Sequence, residues 1–134
     1  MTEFDISINP NQISPLSLAY IGDAVYEVYV RSFIMHDVNM PVSKLHKEAT
    51  KYVSAKAQAQ IFHKIEPELT GEEISVFKRG RNAHSYTSAK NADIIDYRIS
   101  TGFEALIGYI YIKKDTNRLN EIVRLCIKAV KGAE

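Results

Sequence analysis

The feature that most constrains the fold of this 134-residue chain is the spacing of its apolar residues, which recur every three or four positions in each longer segment. That spacing lines one face of an α-helix, whereas a half-buried strand needs strict alternation. No convincing alternating segment and no internal repeat occurs. The chain is therefore predicted to be all-α, with five to seven helices and little or no sheet.

Local start signals divide this pattern into helices. Ser14 and Pro15 predict a first helix that runs to about Met35, because Ser caps free amides and Pro suits the first turn. Apolar residues cover more than one face of this segment, which predicts that the helix is central in the fold. An amphipathic helix with a cationic outer face follows Pro41, and Ser54 predicts a break before a further helix.

The second half of the chain carries similar signals. Thr70 and Glu73 have the spacing of a capping box, and Gly80 predicts that this short helix ends one residue earlier. Residues 80–92 are interpreted as a loop, because Asn, Ser, Thr, Gly and Ala dominate them. Helical spacing then resumes, and Asp115 predicts the cap of a terminal helix.

Composition predicts one domain over residues 1–134, with 46% hydrophobic and 25% charged residues. The longest apolar run, 105–112, is far shorter than the roughly 20 residues that cross a bilayer. No charged leader precedes an apolar stretch at Met1. We therefore expect no membrane association and a cytoplasmic location. The single Cys126 forms no internal disulfide and is interpreted as a small core residue.

Two acidic residues lie inside apolar helical segments, where a carboxylate must be paired, bind a metal or face a cleft. Asp23 stands in the sequence LAYIGDA and Glu104 in GFEALIG. Their small neighbours permit close approach, so two such helices could converge their acids on one hard cation. Composition alone favours the plainer alternative, in which each acid neutralises a surface cation. Glu27 is predicted to pair with Arg31, four residues later.

A basic cluster follows the capping box, although the net charge is only +1 and the first 40 residues carry one basic and five acidic residues. Its residues of interest are Lys78, Arg79, Arg81, Asn82, His84 and, further along, Lys90. Arg binds phosphate through two N–H groups, and Gly and Asn let backbone amides turn toward an anion, which favours a phosphate-binding loop. A solvated helix end with cations near its negative dipole end explains the same residues at least as well.

Several segments, read together, resemble the signatures of the ribonuclease III catalytic domain: LAYIGDA, EVYVR at 27–31, VSAK at 53–56, KRGRNA at 78–83 and GFEALIGY. They are most similar to its short bacterial branch, Mini-ribonuclease III, over nearly the full length. The resemblance implies a helical homodimer that cleaves double-stranded RNA with Mg²⁺, for which Mn²⁺ can substitute, leaving 5′-phosphate and 3′-hydroxyl ends. It also implies a catalytic domain without a double-stranded-RNA-binding domain, and a stem of the 23S ribosomal RNA precursor as substrate.

Carried over position by position, the resemblance assigns Asp23 and Glu104 as catalytic metal ligands. Larger relatives carry three further acids, at positions that here hold Leu16, Ala19 and Thr101. A cation held by two carboxylates must complete its coordination with water and phosphate, so we expect weak binding without RNA. The resemblance places RNA contacts on the basic cluster: Lys78, Arg79, Arg81, Asn82, His84 and Lys90.

Two other functions remain open on sequence alone. The three missing acids favour a non-catalytic helical RNA-binding or ribosome-associated module as the first alternative. A helical protein-interaction adaptor is the second, and it predicts partner binding that does not depend on salt or on the basic cluster. Substitution of Asp23 by Asn distinguishes the enzyme, because binding of duplex RNA should persist while Mg²⁺-dependent cleavage disappears.

Overall fold

The structure, a computed structural model, describes residues 3–36, 39–83 and 93–132. Within these ranges it contains six α-helices, two short 3₁₀ turns and no strand. The α-helices are α1 (Pro15–Ile34), α2 (Val42–Val53), α3 (Ala55–Ile65), α4 (Gly71–Asn82), α5 (Asp93–Ile112) and α6 (Thr116–Lys131). The prediction of an all-α fold with five to seven helices is confirmed.

Capping hydrogen bonds account for most of the helix starts. The side chains of Ser14, Ser54 and Asp115 each accept a hydrogen bond from the backbone N–H three residues later. Thr70 and Glu73 form both bonds of the predicted capping box, at 3.1 and 2.9 Å. These bonds satisfy amides that have no partner within the helix, so the sequence signals at these positions act locally.

The central helix of the bundle is α5. Twelve of its 20 residues are buried, and it packs against α1, α3, α4 and α6. In contrast, α1 buries one face, while Tyr20 and Val28 on its outer side are 84% and 63% exposed. The prediction that α1 is central is therefore wrong, because its additional apolar residues form an exposed surface and not a second buried face.

The backbones of α1 and α5 touch at two glycines. A Cβ atom at Gly22 would collide with the carbonyl oxygen of Glu104, and one at Gly108 would collide with the carbonyl oxygen of Leu18. Only glycine at both positions allows this approach, since any side chain would push the helices apart. The contact therefore fixes Asp23, the neighbour of Gly22, beside the turn of α5 that carries Glu104.

The fourth helix extends through residues that were predicted to begin a loop. It ends at Asn82, and Gly80 is buried within it. A Cβ atom at Gly80 would lie 2.7 Å from Ala105 Cβ and 2.9 Å from Gly102 Cα of α5. Gly80 thus permits close packing between α4 and α5, and the prediction that it ends the helix is wrong. The first three residues of the predicted loop are helical, and most of the others lie outside the described ranges.

Aromatic contacts close the core around α5. The rings of Tyr26 and Phe103 meet edge to face at 4.9 Å, and those of Phe62 and Phe77 stack at 3.6 Å. Cys126 is fully buried, as predicted, and burial raises the pKa of its thiol to about 12. None of the described helices is long and apolar enough to cross a membrane.

Candidate active site

The crossing of α1 and α5 brings together the two acids that sequence had singled out. The carboxyl groups of Glu104 and Asp23 lie near enough for Asp23 to raise the pKa of Glu104. Asp23 is exposed and Glu104 is half-buried, so the pair opens to solvent on the side of α1. The two glycines of the crossing position this pair, since they set the separation of the helices.

The surroundings of Asp23 and Glu104 disfavour a negative charge on both residues at once. Burial raises the pKa of Glu104 to about 8, and the neighbouring charge of Asp23 contributes to the rise. The charge of Glu27 acts in the same direction, while a hydrogen bond from Gln58 lowers the pKa of Glu104. At neutral pH the Glu104 carboxyl group therefore retains a proton unless a cation takes its place. The arrangement favours either a proton or a cation at the two acids.

Gln58 of α3 is a site residue that sequence analysis did not single out. Its side chain is 1% exposed, and its Nε2 donates to Glu104 Oε2 at 3.3 Å. A signal was present, because Gln58 lies three and four residues before the apolar Ile61 and Phe62. That spacing puts a polar amide on the core face of α3, where a polar group needs a specific partner.

Glu27, one turn after Asp23, is held by a different partner. Its Oε2 accepts hydrogen bonds from Arg31 Nη2 at 2.7 Å and from Arg31 Nε at 3.0 Å. The predicted pair is therefore confirmed. Within the ranges that the structure describes, no group of three or more His, Cys, Asp or Glu side chains could hold a metal ion. Any cation at this site would depend on Asp23 and Glu104 as a pair.

The three positions that carry further acids in larger relatives supply no carboxylate here. Leu16 is 40% exposed and Ala19 is buried. Thr101, also buried, donates its hydroxyl to the carbonyl oxygen of Tyr97 at 3.0 Å, back onto its own helix. The oxygen ligands beyond those of the two acids would have to come from water or substrate.

The predicted RNA-binding cations occupy the last two turns of α4. Lys78 and Arg79 are exposed, while Arg81 is half-buried with its guanidinium 5.7 Å from the ring centre of Phe77. Arg81 Nε donates to Asn82 Oδ1 at 3.2 Å. Two further residues of the predicted set lie outside the described ranges: His84 and Lys90.

The contact at Gly80 fixes this cationic end of α4 beside α5. Its contacts on α5, Gly102 and Ala105, stand on either side of Glu104 in sequence. The same end of α4 borders a cleft whose lining residues are Arg81, Asn82, Ile95, Arg98 and Ile99. Arg98 was not singled out from sequence, because an isolated Arg gives no local signal. Helix α5 thus carries the guanidinium of Arg98 and the carboxyl group of Glu104 within two turns of each other.

Comparison with known proteins identifies the family. The Ribonuclease III domain matches residues 16–115, which include both acids and the cationic end of α4. A Mini-ribonuclease 3 from Brevibacillus brevis is 48% identical over 132 residues, which cover 98% of each chain. A Mini-ribonuclease 3 from Clostridium tetani is 52% identical over 87% of this chain and 78% of its own length. The corresponding protein from Streptococcus pneumoniae is 47% identical over 93% and 99%.

The fold agrees with these matches. A crystal structure of a protein from Fusobacterium nucleatum superposes with a TM-score of 0.78 at 29% identity, covering 91% of this chain and 98% of that one. The shared domain includes the α1 and α5 segments that converge at the two acids. The chain therefore belongs to the ribonuclease III family, in its Mini-ribonuclease 3 branch, and is an endoribonuclease of double-stranded RNA.

Proposed function

We propose that Asp23 and Glu104 are the catalytic residues of this endoribonuclease and that they bind Mg²⁺, for which Mn²⁺ can substitute. The observation that carries the proposal is their convergence at the glycine contact between α1 and α5. Burial and the charge of Asp23 raise the pKa of Glu104, so the site lacks a positive charge that a cation would supply. We further propose that cleavage leaves 5′-phosphate and 3′-hydroxyl ends.

The residues present fit Mg²⁺. Carboxylate oxygens are hard ligands, and Mg²⁺ commonly takes one or two of them while keeping several waters and substrate phosphate oxygens. Asp23 is the principal ligand in this proposal, because it is exposed toward solvent, and Glu104 is its partner from the half-buried side. With only two protein carboxylates, the affinity for the cation is low until RNA contributes its phosphates.

The cation and the protein side chains would contribute different parts of the chemistry. When bound, Mg²⁺ polarises the scissile phosphoryl group, helps to generate hydroxide and stabilises the leaving 3′-oxygen. Glu104 would hold a cation only after losing its proton to solvent, and the charge of the cation would then offset the burial and the neighbouring Asp23 charge that raise the pKa of Glu104. Asp23 and Glu104 stand on two helices with touching backbones, so their separation is set by rigid elements and not by a loop.

We propose that the cationic end of α4 holds the RNA backbone. Duplex RNA is recognised mainly by its shape, phosphates and 2′-hydroxyls, so exposed cations suffice without a base-specific contact. The proposed contacts within the described ranges are Lys78, Arg79, Arg81 and Asn82. His84 and Lys90 complete the proposed set from sequence alone.

Paired charge substitutions test this RNA surface. Replacing Lys78 and Arg79 by Ala should weaken duplex binding and reduce the dependence of log K on log salt by about one unit per lost phosphate contact. The matched control replaces Arg124 and Lys128, also one Arg and one Lys exposed on a helix. Equal salt slopes for the two double variants would contradict the assignment.

We propose a homodimer that associates through α1. Leu16, Tyr20, Ala24 and Val28 are spaced by four residues and form an exposed apolar stripe on this helix. Asp23 lies one turn from Tyr20, so the stripe borders the acid pair. A two-fold axis at the stripe would bury it and present one acid pair to each strand of a duplex.

Analytical ultracentrifugation tests the dimer. Tyr20→Glu and Val28→Glu should give monomers, because each places a charge in the stripe. Val42→Glu is the control, since Val42 is an exposed apolar residue on α2 and is not part of the stripe. A monomeric wild-type protein would contradict the homodimer, and a dimer that survives Tyr20→Glu would contradict this interface.

We propose that the physiological substrate is a duplex stem of the 23S ribosomal RNA precursor, and that the protein acts in the cytoplasm, where this RNA matures. The proposal rests on membership of the Mini-ribonuclease 3 branch. We also propose that residues 1–134 act as one catalytic domain that cleaves without a separate double-stranded-RNA-binding domain. Incubation of this chain with a precursor stem and with an unrelated long duplex, followed by end mapping, tests all three features: activity, end chemistry and selectivity.

A further inference from the structure

Gln58 is the most deeply buried polar side chain near the acid pair. Only 1% of it is exposed, and it lies on the core face of α3. Its Nε2 donates to Glu104 Oε2 at 3.3 Å and to the backbone oxygen of Val53 at 3.2 Å. Its Oε1 is buried and has no partner among the described residues.

These contacts fix the orientation of the amide. Both hydrogens of Nε2 point toward acceptors, one at the end of α2 and the other on α5. Rotation of the amide by half a turn would place Oε1 against the backbone oxygen of Val53, which is repulsive. The side chain therefore links three helices and presents an N–H to Glu104 in one defined direction.

Stability does not explain the choice of Gln at this position. An apolar side chain of similar size would remove the buried Oε1, which has no partner among the described residues, but it would also leave the Val53 and Glu104 oxygens without this donor, so the two effects on stability oppose each other. The end of α2 gains one hydrogen bond from Gln58, but helix ends also find partners in other ways. What an apolar residue cannot supply is the donor to Glu104.

We propose that Gln58 is a positioning residue that holds one oxygen of Glu104, so that the carboxylate faces Asp23 in the orientation that a divalent cation requires. The inference rests on the proposed metal site. Groups that hydrogen-bond to a metal ligand orient it and stabilise its charged form, and their loss typically lowers metal affinity about 10- to 100-fold. Gln58 itself touches neither the cation nor the RNA.

The test compares Gln58→Met with Gln60→Met. Gln60 is exposed on the same helix, so its variant controls for the loss of an amide from α3. Binding of Mn²⁺ to the RNA-free proteins is measured by electron paramagnetic resonance into the millimolar range, beside thermal unfolding. We expect Gln58→Met to bind Mn²⁺ at least about tenfold more weakly than wild type while its melting temperature is unchanged or higher. Gln60→Met should match wild type in both measurements.

A double-variant comparison separates positioning from general packing. In a Glu104→Gln background, Gln58→Met should cause no further loss of Mn²⁺ affinity, because the group that it orients is no longer a carboxylate. Raised Mg²⁺ should restore cleavage by Gln58→Met toward the wild-type rate. Should the Met variant fail to fold, Gln58→Leu provides the same comparison with a branched apolar side chain.

The outcomes distinguish the two proposals. If wild type binds Mn²⁺ and Gln58→Met binds it equally well, the positioning role is wrong and the metal site stands. If Gln58→Met lowers Mn²⁺ affinity equally in the wild-type and Glu104→Gln backgrounds, the positioning role is also wrong. If wild type itself binds no Mn²⁺ and cleaves no duplex RNA, the proposed metal site fails, and the positioning role fails with it.

Discussion

Two glutamates of this bundle are shielded from solvent, but the surroundings of their carboxyl groups shift the pKa in opposite directions. Glu73 in α4 is 5% exposed, and its carboxylate accepts hydrogen bonds from Arg118 at 2.7 and 2.8 Å and from the Thr70 amide at 2.9 Å. Burial alone would raise the pKa of Glu73, but these bonds hold it below its ordinary value. Glu104 in α5 instead faces a second acid, Asp23, and has a pKa of about 8.

The difference separates a structural acid, Glu73, from the proposed metal ligand, Glu104. The negative charge of Glu73 is balanced by Arg118, and this ion pair joins α4 to α6. Among the residues that the structure describes, no basic side chain pairs with Glu104, and Gln58 supplies only a neutral donor. An unbalanced carboxyl pair at a partly open site is what a divalent cation would complete.

The largest expected effect concerns cleavage. Glu104→Gln should lower the rate of duplex RNA cleavage by roughly 10³-fold, since loss of a metal ligand removes several kcal/mol of transition-state stabilisation. Glu73→Gln, compared per folded molecule, should cleave at nearly the wild-type rate. Single-turnover assays on a long duplex measure both. Similar rates for Glu104→Gln and wild type would remove Glu104 from the proposed site.

The next effect concerns stability, and here Glu73→Gln is expected to have the larger effect of the two variants. Glu73→Gln should lower the free energy of unfolding by about 2 kcal/mol, less than for a fully buried ion pair because the Arg118 side chain is 21% exposed. Glu104→Gln should not destabilise the metal-free protein at neutral pH, since it replaces a group already held in its neutral form. Urea denaturation in a metal chelator compares the variants, and the contrast breaks down if both lose stability equally.

The last expected effect is a pH dependence of stability. Between the ordinary pKa of 4.5 and about 8, the folded protein binds more protons at Glu104 than the unfolded chain does. Stability of the metal-free protein therefore falls relative to that of Glu104→Gln as the pH rises through this window. Mg²⁺ at pH 8 should offset that loss. Unfolding curves from pH 5 to 8 measure the difference, and parallel curves for the two proteins would show that Glu104 has no raised pKa.

Features set by neighbouring residues could be predicted from sequence. Ser14, Thr70 with Glu73, and Asp115 start their helices through bonds that span three residues, so their effect needs no knowledge of the fold. Asp23 could also be identified as a candidate site residue, because an acid in an apolar helical segment stands out from its surroundings. Residues close in sequence were enough to identify each of these positions.

Features set by distant packing were missed. Gly80 has the local signature of a helix end, yet contact with Gly102 and Ala105 of α5 determines its role. The apolar residues of α1 suggested a buried centre, but several of them remain exposed on the outer face. The bond from Gln58 to Glu104 joins residues 46 apart in sequence, so spacing alone does not reveal it.

Cleavage by Asp23→Asn tests the central claim most directly. Wild type and variant are incubated with the same long duplex RNA, with and without Mg²⁺, while gel shifts without Mg²⁺ measure binding. The account predicts Mg²⁺-dependent cleavage by wild type, and for Asp23→Asn it predicts unchanged duplex binding with cleavage lost. Cleavage by wild type that needs no divalent cation, or an Asp23→Asn variant that cuts at the wild-type rate, would contradict a catalytic metal site at the crossing of α1 and α5.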